Sequence, residues 1–179
     1  MTSKLAALAC SLALAAAASA ADVTVQLSNV HLCCNSCVIG VDKAVAKVSG
    51  VTAKSDRDAE TVTLTAPDKA TLQHAVDAIV AAGYFGESND PAIKVDATTG
   101  LSTAASASDA KVQSLTVSGV HLCCKKCVTA VNEALGKVSG VKANTAAKDA
   151  TTFEVTGDFK PTEVFAALHE AGLTGQAAK

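Results

Sequence analysis

Two short segments hold the residues best suited to chemistry. Residues 31–37 read HLCCNSC, and residues 121–127 read HLCCKKC, 90 positions further along the chain. All seven cysteines except Cys10 lie in these two segments. Thiolates with a neighbouring imidazole are the donors that soft metal ions prefer. The sequence therefore predicts two metal-binding sites in one chain.

Each segment contains a Cys-x-x-Cys pair, Cys34 with Cys37 and Cys124 with Cys127. The apolar spacing that follows each pair predicts a helix, so both pairs are expected at a loop-to-helix junction. The free N–H groups and partial positive charge of a helix N-terminus favour the thiolate over the thiol. Two thiolates suit a two-coordinate soft cation such as Cu(I) or Hg(II).

Further donors stand beside each pair. They are Cys33 and His31 in the first copy, and Cys123 and His121 in the second. Three sulfurs and one nitrogen form a set that suits tetrahedral Zn(II). Because adjacent side chains usually diverge, we expect Cys33 and Cys34 to reach one ion only if the loop is irregular. The prediction is one soft metal ion per domain, with Cu(I) and Zn(II) as first candidates and Hg(II) as the third.

Composition excludes several other functions. The chain has 179 residues, a net charge of −2 and 49% hydrophobic residues. There is no basic excess of the kind that binds nucleic acid or an anionic membrane surface. No nucleophile–base pair, phosphate loop or paired carboxylate pattern stands out, so we do not expect an enzyme. His74 and His169 fall on predicted helices remote from the cysteine segments and are expected to be surface or half-buried residues.

Residues 1–20 have the pattern of a secretory signal peptide. A positive charge at Lys4 precedes an apolar run that ends in the small residues 18–20. The mature chain would begin at Ala21 or Asp22. The run is too short to span a bilayer, and no later run could do so. We therefore expect a secreted or periplasmic protein with no membrane span after cleavage.

Export leaves alternatives open. Cys10 could carry a lipid if the leader belongs to a lipoprotein. An oxidising compartment favours disulfides, so a thiol–disulfide redox protein in which Cys33 resolves a Cys34–Cys37 disulfide is one rival function. A metal-stabilised or metal-free module for protein docking is another. Metal capture, sequestration or delivery remains the leading hypothesis.

The chain is internally duplicated. Residues 28–51 match residues 118–141, and a repeat this long indicates a domain duplication. In each copy, alternating and helical apolar spacings predict the order strand–helix–strand–strand–helix–strand. Helix ends are predicted by Asp68 and Pro161 at N-termini and by Gly50, Gly140, Gly83 and Gly172 at C-termini.

This order predicts the fold class α+β, with two tandem ferredoxin-like βαββαβ sandwiches joined by a flexible linker. The first domain is expected at 21–90 and the second at 112–179. Residues 91–111, rich in Ala, Ser and Thr, are the predicted linker.

Each copy resembles a heavy-metal-associated domain, the family of copper chaperones, metal-binding modules of P-type ATPases and periplasmic mercury-binding proteins. The family shares the ferredoxin-like fold and a Gly-Met-x-Cys-x-x-Cys loop between the first strand and the first helix. Here that loop falls on 31–37 and 121–127, and the Val-Ser-Gly-Val at 48–51 and the Gly-Tyr at 83–84 also match. The resemblance implies that the metal-binding cysteines are Cys34, Cys37, Cys124 and Cys127. It also implies a partner such as a metal-transporting ATPase or another thiolate-bearing metal protein.

The chain departs from the family pattern at the same places in both copies. Leucine replaces the loop methionine, and His31 and His121 replace the glycine. Cys33 and Cys123 occupy the variable position and add donors beyond the usual two. Leu173 stands where the first copy has tyrosine, so the surroundings of the second site are expected to differ.

Overall fold

The computed structural model describes residues 21–96 and 110–178. They form two four-stranded antiparallel sheets and four helices, consistent with two ferredoxin-like domains. The predicted signal peptide, with Cys10, and residues 97–109 of the predicted linker lie outside the described residues. Among the described helices, none combines the length and apolar character needed to cross a membrane.

The two units have the same order of elements. The first consists of β1 (Val23–Ser28), α1 (Asn35–Val45), β2 (Thr52–Asp56), β3 (Thr61–Ala66), α2 (Lys69–Ala81) and β4 (Glu87–Ser88). The second consists of β5 (Val112–Ser118), α3 (Lys125–Gly136), β6 (Val141–Asn144), β7 (Thr152–Phe159), α4 (Pro161–Glu170) and β8 (Gln176–Ala177). The strand orders are β2-β3-β1-β4 and β6-β7-β5-β8, so the strand that precedes each cysteine segment is central in its sheet.

The core of the first unit follows the predicted periodicities. Val25 and Leu27 of β1 pair with β3 and are buried on one face of the sheet. Val41 of α1 and Val76 of α2 are fully buried against that face. Leu32, in the loop after β1, is only 1% exposed. An apolar side chain is thus buried beneath the cysteine segment, as the sequence predicts.

Most predicted helix ends are present. The carboxylate of Asp68 accepts a hydrogen bond from the N–H of Thr71 at 2.7 Å, and Pro161 begins α4. Gly83 and Gly172 follow the C-caps of α2 and α4 with positive φ.

The prediction that Gly50 and Gly140 cap the first helix of each unit was wrong. Helix α1 is capped at Ala46, and α3 at Lys137. The N–H of Val48 bonds to the carbonyl of Val45, so the apolar stripe continues in a tighter turn after the α-helical bonding has ended.

The first residues of the predicted linker pack on the first unit. Ile93 is 3% exposed. The Gln73 side chain of α2 bonds to the carbonyl and N–H of Lys94 at 2.7 and 2.8 Å. The first unit therefore extends past residue 90.

The two units meet through the turns that follow α2 and α4. Tyr84 and Leu173 form an antiparallel bridge between them. The N–H of Phe85 donates to the carbonyl of Gly172 at 3.0 Å, and the N–H of Thr174 donates to that of Gly83 at 3.1 Å. These contacts relate the units by an approximate two-fold operation.

Gly172 also contacts the cysteine segment of the other unit. Its carbonyl accepts from the N–H of His31 at 3.2 Å. A Cβ on Gly172 would lie 2.5 Å from both the Asn29 carbonyl oxygen and the His31 nitrogen. Gly83 is placed in the same way against Gly119 and His121. The absence of a side chain at these two glycines lets the units approach closely.

Candidate metal centre

The local fold places each Cys-x-x-Cys pair at the start of a helix, as the sequence predicts. Cys34 is the N-cap of α1 and Cys124 that of α3, both with extended backbones. Cys37 and Cys127 lie in the first helical turn, and both are fully buried. The sulfurs of each pair are 3.7 Å apart.

The sulfurs of the two units meet in one cluster, which we call the six-sulfur cluster. It consists of Cys33, Cys34, Cys37, Cys123, Cys124 and Cys127, and all six are free thiols. Contacts between the units are as short as those within them: the Cys33 sulfur lies 3.5 Å from that of Cys124 and 3.6 Å from that of Cys127. The Cys34 sulfur lies 3.8 Å from that of Cys123.

Both members of each adjacent pair belong to the cluster. The segment between β1 and α1 has no regular structure. Cys33, Cys34 and Cys124 have ligand atoms within 4.8 Å of one another, and so do Cys123, Cys124 and Cys127. The irregular loop removes the divergence expected of neighbouring side chains.

The two loop histidines border the cluster. A ring nitrogen of His31 lies within 4.8 Å of the sulfurs of Cys33 and Cys127. His121 stacks on Tyr84 with ring centroids 4.5 Å apart. In both histidines Nε2 is buried without a hydrogen-bond partner among the described residues. A buried polar nitrogen without a partner is costly, and a metal ligand role would remove that cost.

The pKa values of the two buried cysteines move in opposite directions. Hydrogen bonding from Cys127 is the largest cause of a lowered pKa at Cys37, and His121 adds to it. The same bond to Cys37, together with burial, raises the pKa of Cys127. The two sulfurs therefore share one proton. The first ionisation is a property of the pair and not of either cysteine alone.

Three of the partly exposed cysteines, Cys33, Cys123 and Cys124, differ in the direction of their pKa shifts. Burial is the largest cause of the raised pKa values of Cys33 and Cys123. At Cys124 burial alone would raise the pKa. Hydrogen bonds from the backbone of Cys127, from Cys33 and from Lys126 outweigh it and lower the pKa to about 7. Without metal, several of the six sulfurs thus carry protons at neutral pH.

The difference at Tyr84 has a steric explanation. The Tyr84 hydroxyl donates to the carbonyl of Cys37 at 2.9 Å, and a Cβ on Gly40 would collide with that hydroxyl. In the second unit Ala130 replaces Gly40 and Leu173 replaces Tyr84. The first unit thus combines a tyrosine with a helix glycine, and the second unit combines a smaller leucine with a helix alanine.

The structure thus brings the six predicted sulfurs and His31 within reach of common ligand positions, whereas the His121 ring stacks on Tyr84 beside them. His169 lies elsewhere, stacked on Phe85 and within 3.2 Å of the Thr174 hydroxyl. Sequence reasoning missed the roles of Gly83 and Gly172 in the contact between units. A glycine after the second helix of both copies predicts where each helix ends, and it carries no signal for a contact between the units.

Comparisons with known proteins identify no family for this chain. No protein-family model matches the sequence. A search of curated proteins finds no significant relative. Among solved structures, the chain is similar to the N-terminal soluble domains of CopA from Bacillus subtilis, with 14% identity and a TM-score of 0.31. That match covers 89% of this chain and 95% of the other. A likeness at this level identifies no function.

Proposed function

We propose that the chain is an exported metal-binding protein that captures, sequesters or delivers a soft metal ion through its cysteine loops. The observation that carries the proposal is the convergence of six free thiols, with many separations of 3.5–3.9 Å. Sulfur donors at such distances fit a thiophilic ion, with metal–thiolate bonds of about 2.3 Å. Export rests on the signal-peptide pattern of residues 1–20.

Burial indicates the order in which the sulfurs act. Cys34 and Cys124 are partly exposed, whereas Cys37 and Cys127 are buried. An incoming ion would meet the outer sulfurs first and then gain the inner ones. Each thiol that binds releases its proton to solvent, with no change of oxidation state. Delivery would reverse these steps by ligand exchange with the thiolates of a partner, such as a metal-transporting ATPase.

The test is metal content beside thiol count. We expect protein purified under reductant to retain a soft metal and to show six titratable thiols once the metal is removed. The double variant Cys34→Ser/Cys37→Ser should lose metal, whereas Ser36→Ala, an exposed change in the same segment, should not. Unchanged metal stoichiometry in the double variant would refute the assignment. Absent metal with rapid dithiol turnover would favour the redox alternative.

A further inference from the structure

We infer that the six-sulfur cluster is a single polynuclear site that binds four Cu(I) ions, rather than two separate sites of one ion each. The inference rests on the proposed metal-binding function and deepens it. It begins with how the sulfurs are arranged around one another.

The arrangement is octahedral. Each sulfur approaches all the others except one. Within the cluster, the opposite corners are Cys33 with Cys123, Cys34 with Cys127, and Cys37 with Cys124. The edges are 3.5–3.9 Å long, apart from Cys33–Cys34 and Cys123–Cys124, which are within 4.8 Å.

An octahedron of sulfurs provides sets of three sulfurs in mutual contact but no such set of four. Any four of its corners include an opposite pair, so no four of these sulfurs lie in mutual contact. Two Zn(II) ions sharing two sulfurs would need the remaining sulfurs of one ion to stand apart from those of the other. That condition fails here, because each sulfur is distant from only one other. The arrangement of the sulfurs therefore disfavours Zn(II) bound by four thiolates and fits a soft ion bound by three.

The triangular faces have a suitable size. A triangle with sides of about 3.7 Å has its centre about 2.1 Å from each corner, close to a metal–thiolate bond of about 2.3 Å. The centre of the octahedron is about 2.6 Å from each sulfur, too far for one ion to bond all six at that length. The faces, and not the centre, are the binding positions.

Alternate faces hold four ions without sharing an edge. One such set is Cys33–Cys34–Cys124, Cys34–Cys37–Cys123, Cys123–Cys124–Cys127 and Cys33–Cys37–Cys127. Each sulfur belongs to two of these faces, so every thiolate bridges two ions. Three faces combine sulfurs from both units, and the fourth uses Cys123, Cys124 and Cys127 of the second unit alone.

The charge also favours four monovalent ions. Six thiolates with one Cu(I) per unit would leave a net charge of −4 in a half-buried site, and four Cu(I) ions reduce it to −2. The N-termini of α1 and α3 are aimed at the cluster and offset part of the remainder. Loading converts each thiol to a bridging thiolate and releases its proton to solvent. Copper enters and stays as Cu(I), so no oxidant or reductant is consumed.

The experiment is a Cu(I) titration of the reduced, signal-cleaved chain under anaerobic conditions, against a competing chelator. Native mass spectrometry should pass from no copper to four copper ions per chain with little one-, two- or three-ion species. X-ray absorption should show three sulfurs per copper and a copper neighbour. Two ions per chain, each with two sulfurs and no copper neighbour, would overturn the cluster while leaving the metal-binding function intact. No bound copper would overturn the cluster, and binding of no soft metal at all, with Zn(II) and Hg(II) tested in the same way, would overturn the metal-binding function as well.

Cys33→Ser separates the two models further. It leaves both Cys-x-x-Cys pairs intact, so independent sites would still bind two ions. A shared cluster loses a bridging sulfur, and the four-ion species should disappear. Ser36→Ala is the matched control and should retain it, with circular dichroism to establish that both variants are folded. A four-ion species that persists in Cys33→Ser would count against the octahedral site.

Discussion

Replacing Gly172 by alanine tests whether contact between the units assembles the six-sulfur cluster. The residue has a φ of +70°, and its carbonyl accepts hydrogen bonds from the N–H groups of His31 and Phe85. A new methyl would lie 2.5 Å from backbone atoms of Asn29 and His31. Backbone at that distance cannot rotate aside as a flexible side chain could, so the Gly172 turn must move away from the first unit.

The expected magnitude follows from two terms. A left-handed conformation costs an alanine about 1–2 kcal/mol. Displacement of the Gly172 turn removes the two hydrogen bonds to the Gly172 carbonyl, at about 1 kcal/mol each. Gly172→Ala should therefore lower the free energy of unfolding by about 3–4 kcal/mol.

Gly119→Ala is the matched control. Gly119 has a φ of +78°, but no atom of residues 21–96 or 110–178 outside its own neighbours lies within 4 Å of the position its Cβ would take. The equivalent residue of the first unit is Asn29, which has a φ of 56° and shows that a side chain fits there. This control should carry only the strain of about 1–2 kcal/mol. The two variants should thus differ by about 2 kcal/mol.

Urea denaturation of the reduced, metal-free chain measures that difference, and hydrogen exchange at the His31 and Phe85 amides reports whether the interface opens. Gly172→Ala should also lose cooperative copper loading, whereas Gly119→Ala should keep it. Equal stabilities and equal copper loading in the two variants would show that this interface does not hold the cluster together.

Three further predictions concern single groups. Tyr84→Phe removes the bond to the Cys37 carbonyl and should cost about 1 kcal/mol in urea denaturation; an unchanged midpoint would contradict the role of that bond. Because burial raises the pKa of Tyr84, the only tyrosine, its stabilising contribution should hold below the ordinary value of 10.0 and fall above it; alkaline titration should therefore show phenolate absorbance only as the protein unfolds, and ionisation of the folded chain near its ordinary value would count against burial. Asp68→Ala should lower stability above the ordinary carboxyl pKa of 3.8 and have little effect well below the lowered folded-state value, because hydrogen bonding to Thr71 lowers the pKa of Asp68; a pH series of urea midpoints checks this, and a pH-independent loss would contradict the capping role.

The fold was largely predictable because its causes are local. Apolar spacing in β1 and α1, the Asp68 cap and the glycines after α2 and α4 act within a few residues of themselves. The wrong prediction that Gly50 caps α1 also has a local cause. Helix α1 ends early because its last turn tightens after Val45, and apolar spacing does not distinguish that turn from another α-helical one.

The donors of the site were predictable, but their arrangement was not. Residue types and the repeat predict which sulfurs are candidate ligands, and the apolar spacing after each Cys-x-x-Cys pair predicts that a helix begins there. The meeting of Cys33 with Cys127 depends on how the two units pack against each other, which local residue patterns do not specify. The sequence also shows that Gly40 and Tyr84 are replaced by Ala130 and Leu173 in the second copy. Only the contact between the Tyr84 ring and α1 at Gly40 explains why the two positions change together.

A shared cluster makes metal loading and closure of the units one equilibrium. If the ions bridge sulfurs of both units, they bind the closed form more tightly than the open form and shift the population toward it. The coupling is reciprocal, so a change that opens the interface, such as Gly172→Ala, must weaken loading by the same free energy with which loading strengthens the interface. Placing both units in one chain makes their meeting intramolecular and removes its dependence on protein concentration. Release to a partner then needs only a local opening, since loss of the contacts at Gly83 and Gly172 exposes the bridging sulfurs to exchange. Duplication of the cysteine loop within one chain, and not the number of cysteines alone, is therefore what would turn two weak two-sulfur sites into one cooperative store.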